Sequence, residues 1–285
     1  MAKKPGARLA DFQYAGATPG ASSAKRARAF DLASIDPHAK PFSSDDKAAD
    51  QAAVEALADD IDRLQDLLFA DRRFKVLVVL QGTDTSGKDG TIRGVFAKTS
   101  ALGVRTAAWK APSEEERAHD FLWRIHQKVP AAGEIVIFNR SHYEDVLVPV
   151  VKGWIKAEEA ARRFAQINDF ERLLVETGTV VLKFLLHISK EEQRERLQAR
   201  LDDPSKHWKF AVGDLEERTR WEAYQQAYGE AVGATGTPWA PWTIVPADSK
   251  THRNLMIATV VKQSLEALKL RYPAGDPALA NIKVI

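Results

Sequence analysis

The chain has 285 residues, of which 45% are hydrophobic and 28% charged, with no cysteine and a net charge of +2. That is enough apolar material for one α/β body with a smaller satellite, and too little charge for a polycation that coats nucleic acid, so anion binding must come from local clustering of the 41 Lys and Arg. The missing cysteines exclude disulfides, thiolate metal centres and a cysteine nucleophile. They also suit a cytoplasmic protein.

The opening "MAKKPGARLADF" is basic and lacks the apolar block of a signal peptide, and no apolar run approaches the ~20 residues of a membrane span. Residues 1–48 are rich in Ala, Ser, Gly and Pro. They read as an extended arm that wraps the body or a neighbouring subunit, or as a partly disordered tail. A body follows over 49–272, and 273–285 form a short tail. From Ser44 the apolar residues Val54, Leu57, Ile61, Leu64, Leu67 and Leu68 recur at helical spacing. "KVLVVL" (75–80) is a continuous apolar run of strand length, as in a buried parallel strand. A helix is expected from Lys88, a weaker strand over "VRTAAW" (104–109), and one helix over "SEEERAHDFLWRIHQKV", opened by Ser113 and Glu116 at capping-box spacing. "EIVIF" (134–138) is the third strand, 157–176 a long helix, and "TVVLKFLL" (179–186) the fourth strand. Ser189 and Glu192 repeat the capping box, a basic loop "DDPSKHWKF" leads to a helix near 214–229, and "WTIVPA" (242–247) precedes a last helix near 252–270. Strands separated by helices predict a doubly wound parallel sheet of about five strands, with a lid over about 189–230.

The turn after the first strand is Gly82-Thr83-Asp84-Thr85-Ser86-Gly87-Lys88. Glycines at its ends let successive backbone N–H groups face one anion, the following helix adds its positive end, and Lys88 reaches a bound phosphate. The spacing also occurs in bland Gly-rich turns, but here it lies between a buried strand and a helix. Gly82, Thr85, Ser86, Gly87, Lys88 and Asp89 are therefore candidate phosphate ligands. Asp89 departs from the ordinary pattern, which has a Mg²⁺-binding hydroxyl after the lysine. A carboxylate inside an anion-binding loop repels phosphate unless a divalent cation lies between them, so Asp84 is a candidate metal ligand. Asp89, in the first helical turn, also suits the helix dipole.

The third strand runs into "FNRSHYEDVLVPVV" (138–151), where strand ends carry chemistry in open α/β sheets. Asn139 stands where a Walker-B carboxylate is expected, leaving Glu144 and Asp145 for the metal, directly or through water. Asn139, His142, Tyr143 and Glu144 are candidate nucleotide contacts, Arg140 a candidate catalytic cation, and Asp145 a second candidate metal ligand. The alternative is a polar loop at a helix N-terminus.

"GTDTSGKDGTIRGVF", "FNRSHYEDVL", "HISKEEQRERLQARLDDPSKHWKF", "DLEERTRWEAYQQAY" and "APWTIVPADSKTHRNL" occur in this order. Together they resemble the polyphosphate kinase 2 family over roughly residues 50–270. The resemblance implies a P-loop kinase-like fold and reversible phosphoryl transfer between inorganic polyphosphate and nucleotides with Mg²⁺, or Mn²⁺ in its place. It marks Asp84 and Lys88 in the loop, Asn139 and Arg140 at the strand end, and Arg200 with Lys206–Lys209 in the lid. Many members carry Asp where this chain has Asn139, which bears on the metal ligands. "FNRSHYEDVL" with "KHWKF" is similar to the branch that phosphorylates both AMP and ADP. The expected substrates are therefore polyphosphate with AMP, ADP and ATP, guanine nucleotides being admitted, with no nucleic acid and no membrane; a homo-oligomer is implied.

The lid residues carry an independent signal. Arg194, Arg196, Arg200, Lys206, His207 and Lys209 are closely spaced, as a chain of phosphates without a base to stack requires. Interleaved Glu191, Glu192 and Glu195 equally fit a solvated charged helix. Arg93, Arg117 and Arg124 are weaker candidates for phosphate. Trp208, Trp221, Tyr224 and Trp242 can stack an adenine or anchor packing. An acceptor that is already an ionised phosphate needs no strong general base, so Asp84, Lys88 and Arg140 act by positioning and charge. The rival readings are an ATP-dependent P-loop nucleoside monophosphate kinase, a nucleotide-dependent switch, and a nucleic-acid binder.

Overall fold

A computed structural model describes residues 9–16, 29–277 and 282. The expectations for 1–8, 17–28, 278–281 and 283–285 lie outside the described residues. Helix α1 (Lys47–Asp71) starts where the Asp46 carboxylate caps the Ala48 and Ala49 amides, and ends at Arg72 in the left-handed conformation. Its Val54, Ala58, Ile61 and Leu68 are buried in one stripe.

A two-residue strand β1 (Gln13–Tyr14) comes from the arm. In the body follow β2 (Lys75–Gln81), α2 (Lys88–Val95), β3 (Val104–Ala108), α3 (Glu114–Ala118), α4 (Trp123–His126) and β4 (Ile135–Asn139). The chain continues through α5 (Glu144–Val151), α6 (Ala157–Glu176), β5 (Thr179–His187), α7 (Lys190–Leu201), α8 (Val212–Thr219), α9 (Trp221–Thr235), β6 (Trp242–Pro246) and α10 (Lys250–Ala267). The sheet order is β1-β6-β5-β2-β4-β3, with β2 to β6 parallel and β1 antiparallel on the β6 edge. The sheet is thus one strand wider than the sequence reading, because the arm adds a pairing of Gln13 with Thr243 and Tyr14 with Trp242.

Two apolar layers flank the sheet. One packs α5, α6 and α9 through Tyr143, Val146, Phe164, Ile167, Tyr228 and Val232. The other packs α1, α2 and α10 through Ile61, Leu68, Val95, Met256 and Val261. Because β2 is covered on both faces, Val76 to Leu80 are essentially inaccessible, which accounts for a continuous apolar run instead of alternation. The arm also packs on the body, with Phe30 N–H donating to Gly229 O at 2.8 Å and Phe42 N–H to His252 Nε2 at 3.3 Å. Among the described residues no helix is long and apolar enough to cross a membrane.

The single helix expected over 113–129 is two short ones. Ser113 and Glu116 do form the capping box, but Asp120 accepts from the Leu122 N–H at 2.9 Å and restarts the chain. The helix near 214–229 is likewise two, broken at Arg220, and from Trp221 onward α9 packs into the body. Helix α5 contains Pro149, which deprives the Asp145 carbonyl of its intrahelical donor. The Arg163 guanidinium replaces that donor at 2.6 Å.

Candidate active site

The loop between β2 and α2 holds its shape through residues without room for alternatives. Gly82 has φ 149°, and a Cβ there would meet the Leu186 carbonyl at 2.7 Å; Gly87 has φ 105°. Thr85, with φ 63°, adopts the left-handed region without being glycine. The Arg196 guanidinium of α7 holds the back of the loop. It donates to the carbonyls of Thr85 (2.9 Å) and Ser86 (3.1 Å), and to those of Ala247 (2.8 Å) and Asp248 (2.9 Å) after β6. Gln193 adds a bond to Asp84 O at 3.2 Å. Arg196 is therefore a brace, not a free lid cation.

Lys88 is buried beneath this loop. Its ammonium donates to Gly82 O at 2.7 Å and Thr83 O at 3.2 Å, with Ser86 Oγ at 3.5 Å. Burial, and then the nearby Arg140 charge, push its pKa down to about 8. Arg140, in the left-handed conformation at the end of β4, reaches back over the loop and pairs with Asp84 at 2.8 Å. Glu144 approaches the same guanidinium at 3.9 Å and accepts from Gln81 Nε2 at 3.2 Å. Burial raises the Glu144 carboxyl above its ordinary range, opposed by Arg140 and Lys88. It works against the Arg140 charge too, but Glu144 and Asp84 outweigh it and hold that pKa up. Asn139, also at the β4 end, donates its amide to Asp89 at 2.7 Å. The structure thus brings Asp84, Lys88, Asp89, Asn139, Arg140 and Glu144 together around one loop.

A cavity of about 290 Å³ opens beside them, lined by Gly82, Thr83 and Asp84, by Arg140 and Glu144, and by Asp214, Glu217, Trp221, Tyr224 and Tyr228 of α8 and α9. Glu217 ties its α8–α9 side together, accepting from Tyr224 OH at 2.6 Å and pairing with Lys152. Arg140 supplies the positive charge of its lining, paired there with Asp84 and Glu144, while α8 and α9 contribute Asp214, Glu217 and aromatic rings. The cavity therefore suits a ligand with phosphate toward Arg140 and hydroxyl- or amino-bearing rings toward α8 and α9.

Three sequence expectations are corrected. His142 and Tyr143 do not line this cavity, for both are wholly buried. Glu171 of α6 accepts from His142 Nε2 at 3.2 Å and Tyr143 OH at 2.8 Å, while Lys183 of β5 donates to Glu171 at 2.6 Å and Tyr143 OH at 3.0 Å. This polar web supports the 139–144 turn from behind, with Trp242 stacked edge-on to Tyr143. Asp145 is not among the residues lining the cavity and takes a bidentate pair from Arg124 at 3.0 and 2.9 Å, so it is no metal ligand in this arrangement.

The remaining expected phosphate contacts are dispersed. Arg93 is exposed in the last turn of α2. Arg200 donates to Lys209 O at 2.9 Å, Lys206 pairs with Asp203 at 2.6 Å, and His207 meets Leu201 O at 2.8 Å. Lys209 lies over the Trp208 ring, which is 76% exposed. In the present arrangement Arg200, Lys206 and His207 take their partners from residues 201–214. Trp242 is a packing residue, Trp221 packs in the core and also borders the cavity, and Tyr224 lines the cavity.

The family model described as polyphosphate kinase 2 matches residues 44–273. The chain belongs to the polyphosphate kinase 2 family. It is 49% identical over 253 residues to the AMP/ADP-polyphosphate phosphotransferase of Meiothermus ruber, covering 86% of this chain and 94% of that one. It is 41% identical over 237 residues to the ADP-polyphosphate phosphotransferase of Rhodopseudomonas palustris, with 79% and 81% covered. Its structure resembles the crystal structure of polyphosphate kinase 2 from Arthrobacter aurescens TC1, with a TM-score of 0.85 at 43% identity over 92% of this chain and 95% of that one. The fold is accordingly that of a P-loop kinase-like polyphosphate kinase 2.

Proposed function

We propose that this protein transfers the terminal phosphoryl group of inorganic polyphosphate to ADP and AMP, reversibly. The observation that carries the reading is the cavity lined together by phosphate-loop residues, Arg140 and the α9 aromatics. The Meiothermus ruber relative, named for AMP and ADP, supplies the substrate class. The acceptor nucleotide lies in the cavity, its phosphate toward Arg140 and its sugar and base toward Tyr224, Tyr228 and Glu217. The donor polyphosphate lies in the Gly82–Gly87 loop, and its outer phosphates run under Arg200, Lys206, His207 and Lys209 once the lid closes.

Among the described residues no three metal-ligating side chains cluster. Asp84 and Glu144, both against Arg140, fit a small hard cation that takes one or two carboxylates and completes its shell with phosphate oxygens. Mg²⁺ held there would neutralise charge between donor and acceptor phosphates. Lys88 and Arg140 stabilise negative charge on the transferred group, and the left-handed turn at Arg140 keeps its guanidinium over the loop. The acceptor oxygen is already ionised at neutral pH, so no side chain need remove a proton.

The test is direct. Incubation with Mg²⁺, polyphosphate and either ADP or AMP should yield ATP or ADP. Turnover with ATP as the only effective donor to AMP would establish the rival nucleoside monophosphate kinase instead.

A further inference from the structure

Arg253, in the first turn of α10, is 3% exposed. Its hydrogen bonds go to one neutral partner, Asn254 Oδ1, from Nε at 3.1 Å and Nη2 at 2.8 Å. Among the described residues no carboxylate pairs with it, and the charged group that bears on it is another cation, Arg196. Burial, and then Arg196, depress the guanidinium to about 9. A buried charge without a counter-charge is costly, and folds tolerate one where a ligand completes the pair.

The position of this charge points to the ligand. A Cβ on Gly87 would lie 1.9 Å from Arg253 Nη1, and a Cβ on Gly90 3.0 Å from Nη2. The guanidinium is thus pressed against Gly87 at the end of the phosphate loop and Gly90 in the first turn of α2, where a side chain on either glycine would meet it. Lys88, between those glycines, is the loop's own phosphate cation. Gly87 is required twice, once for its positive φ and once to leave room for Arg253.

We propose that Arg253 is a phosphate-site cation of this enzyme, a fixed positive charge set behind Gly87 and Gly90 that strengthens the hold on the donor's phosphates. It acts through the glycine backbone on the anion bound in the loop, while Arg196 beside it braces the loop's carbonyls. The substitution that separates charge from packing is Arg253→Met, which keeps an unbranched chain without the charge. Arg253→Lys restores a charge without the planar fork. The inference rests on the reading that phosphate occupies the loop, so binding is measured with two ligands, inorganic polyphosphate and ATP.

Loss of a unit charge at this range should weaken polyphosphate binding by about ten- to a hundredfold. The Met variant should show that weakening, the Lys variant should recover much of it, and KM for ADP should move less than about twofold. The thermal midpoint of the ligand-free Met variant should not fall, because an unpaired buried charge has been removed, yet its rise on adding polyphosphate should shrink. If wild type fails to bind polyphosphate but binds ATP, the donor assignment falls, and a weakened ATP affinity in the Met variant still supports the role of Arg253. Unchanged affinity for both ligands in a folded Met variant would overturn it. So would equal loss in the Lys and Met variants together with a lowered thermal midpoint, for Arg253 would then be a packing post.

Discussion

The amide of Asn139 donates to the carboxylate of Asp89 at 2.7 Å, joining the end of β4 to the first turn of α2. Ordinary P-loop enzymes place a hydroxyl after the loop lysine and a carboxylate at this strand end, both turned to the metal. Here the carboxylate stands on the helix and the uncharged donor on the strand. Asp89 is thereby engaged by a neutral partner, and Asp84 in the loop remains paired with Arg140 at 2.8 Å, at the site proposed for the metal.

Exchange of these two groups is the first prediction. Asn139→Asp would set two carboxylates within hydrogen-bonding distance, where both cannot ionise freely. Turnover at neutral pH should fall by about tenfold or more, recovering partly as the pH is lowered and one carboxyl takes a proton. Adding Asp89→Asn should restore most of the loss, since the donor and acceptor are merely reversed. A double-mutant cycle on kcat checks the coupling; strictly additive effects would show that the two side chains do not act as a pair.

Lys88 should carry the pH dependence of donor binding. Its pKa in the ligand-free protein is lowered to about 8 by burial and Arg140, and a bound phosphate, being anionic, raises it again. A group whose pKa rises on binding takes up a proton as the ligand binds. Affinity for polyphosphate should therefore be flat below about 8 and decline above it, approaching about tenfold per pH unit. Titrations from neutral to alkaline pH test this, and the Lys88→Arg variant should lack the bend.

Much of the scaffold for these sites is legible in residue patterns. Val76 to Leu80 are apolar without alternation because both sheet faces are covered, and Ser113, Glu116 and Ser189 set helix starts in the expected way. The phosphate loop is readable because its glycines have conformational reasons. Strand β1 is not, since two residues cannot display a period and its pairing depends on β6. Helix α5 is obscured by Pro149, whose missing donor is made good by Arg163, distant in sequence. His142, Tyr143 and Asp145 look like site chemistry by type alone, and nothing local reveals that Glu171, Lys183 and Arg124 engage them. Arg253 misleads in the opposite sense, giving no local sign of a site role, and Arg196, expected as a lid cation, braces the loop's carbonyls instead. Arginine ordinarily lies at the surface, and only tertiary packing places these two against the loop.

The web behind the 139–144 turn should have large and unequal mutational effects. Glu171 and Lys183 are each fully buried, with Lys183 also donating to Thr235 O at 2.7 Å. Burial opposes ionisation of Glu171, but Lys183 and His142 outweigh it and hold the carboxyl below its ordinary range. Glu171→Gln or Lys183→Met alone leaves an unmatched buried charge and should cost about 3–5 kcal/mol in chemical denaturation. The paired replacement should cost less than the sum. A glutamate with a depressed pKa contributes stability that is present above its unfolded pKa and lost as the pH falls through the folded one. Wild type should thus lose an increment in acid that Glu171→Gln lacks, and equal acid sensitivity would show the carboxylate to be uninvolved.

Asp145 and Asp84 separate structure from metal dependence. Asp145 is held by Arg124, itself almost inaccessible and packed over the Trp109 ring at 5.4 Å. Its carboxyl is raised by burial, against the pull of Arg124. Asp145→Asn keeps the shape but weakens a charge-assisted bidentate pair, so it should lower stability by about 1–3 kcal/mol. The Mg²⁺ concentration for half-maximal activity should stay as in wild type. Asp84→Asn should do the reverse. Its partner Arg140 is half-exposed, so stability should change by less than about 1 kcal/mol, while half-maximal activity should require severalfold more metal. Magnesium titrations of kcat beside denaturant midpoints distinguish the two residues. A shifted magnesium requirement in Asp145→Asn, with its denaturation midpoint unaltered, would return that carboxylate to the metal site and leave the Arg124 pair as a feature of the ligand-free state.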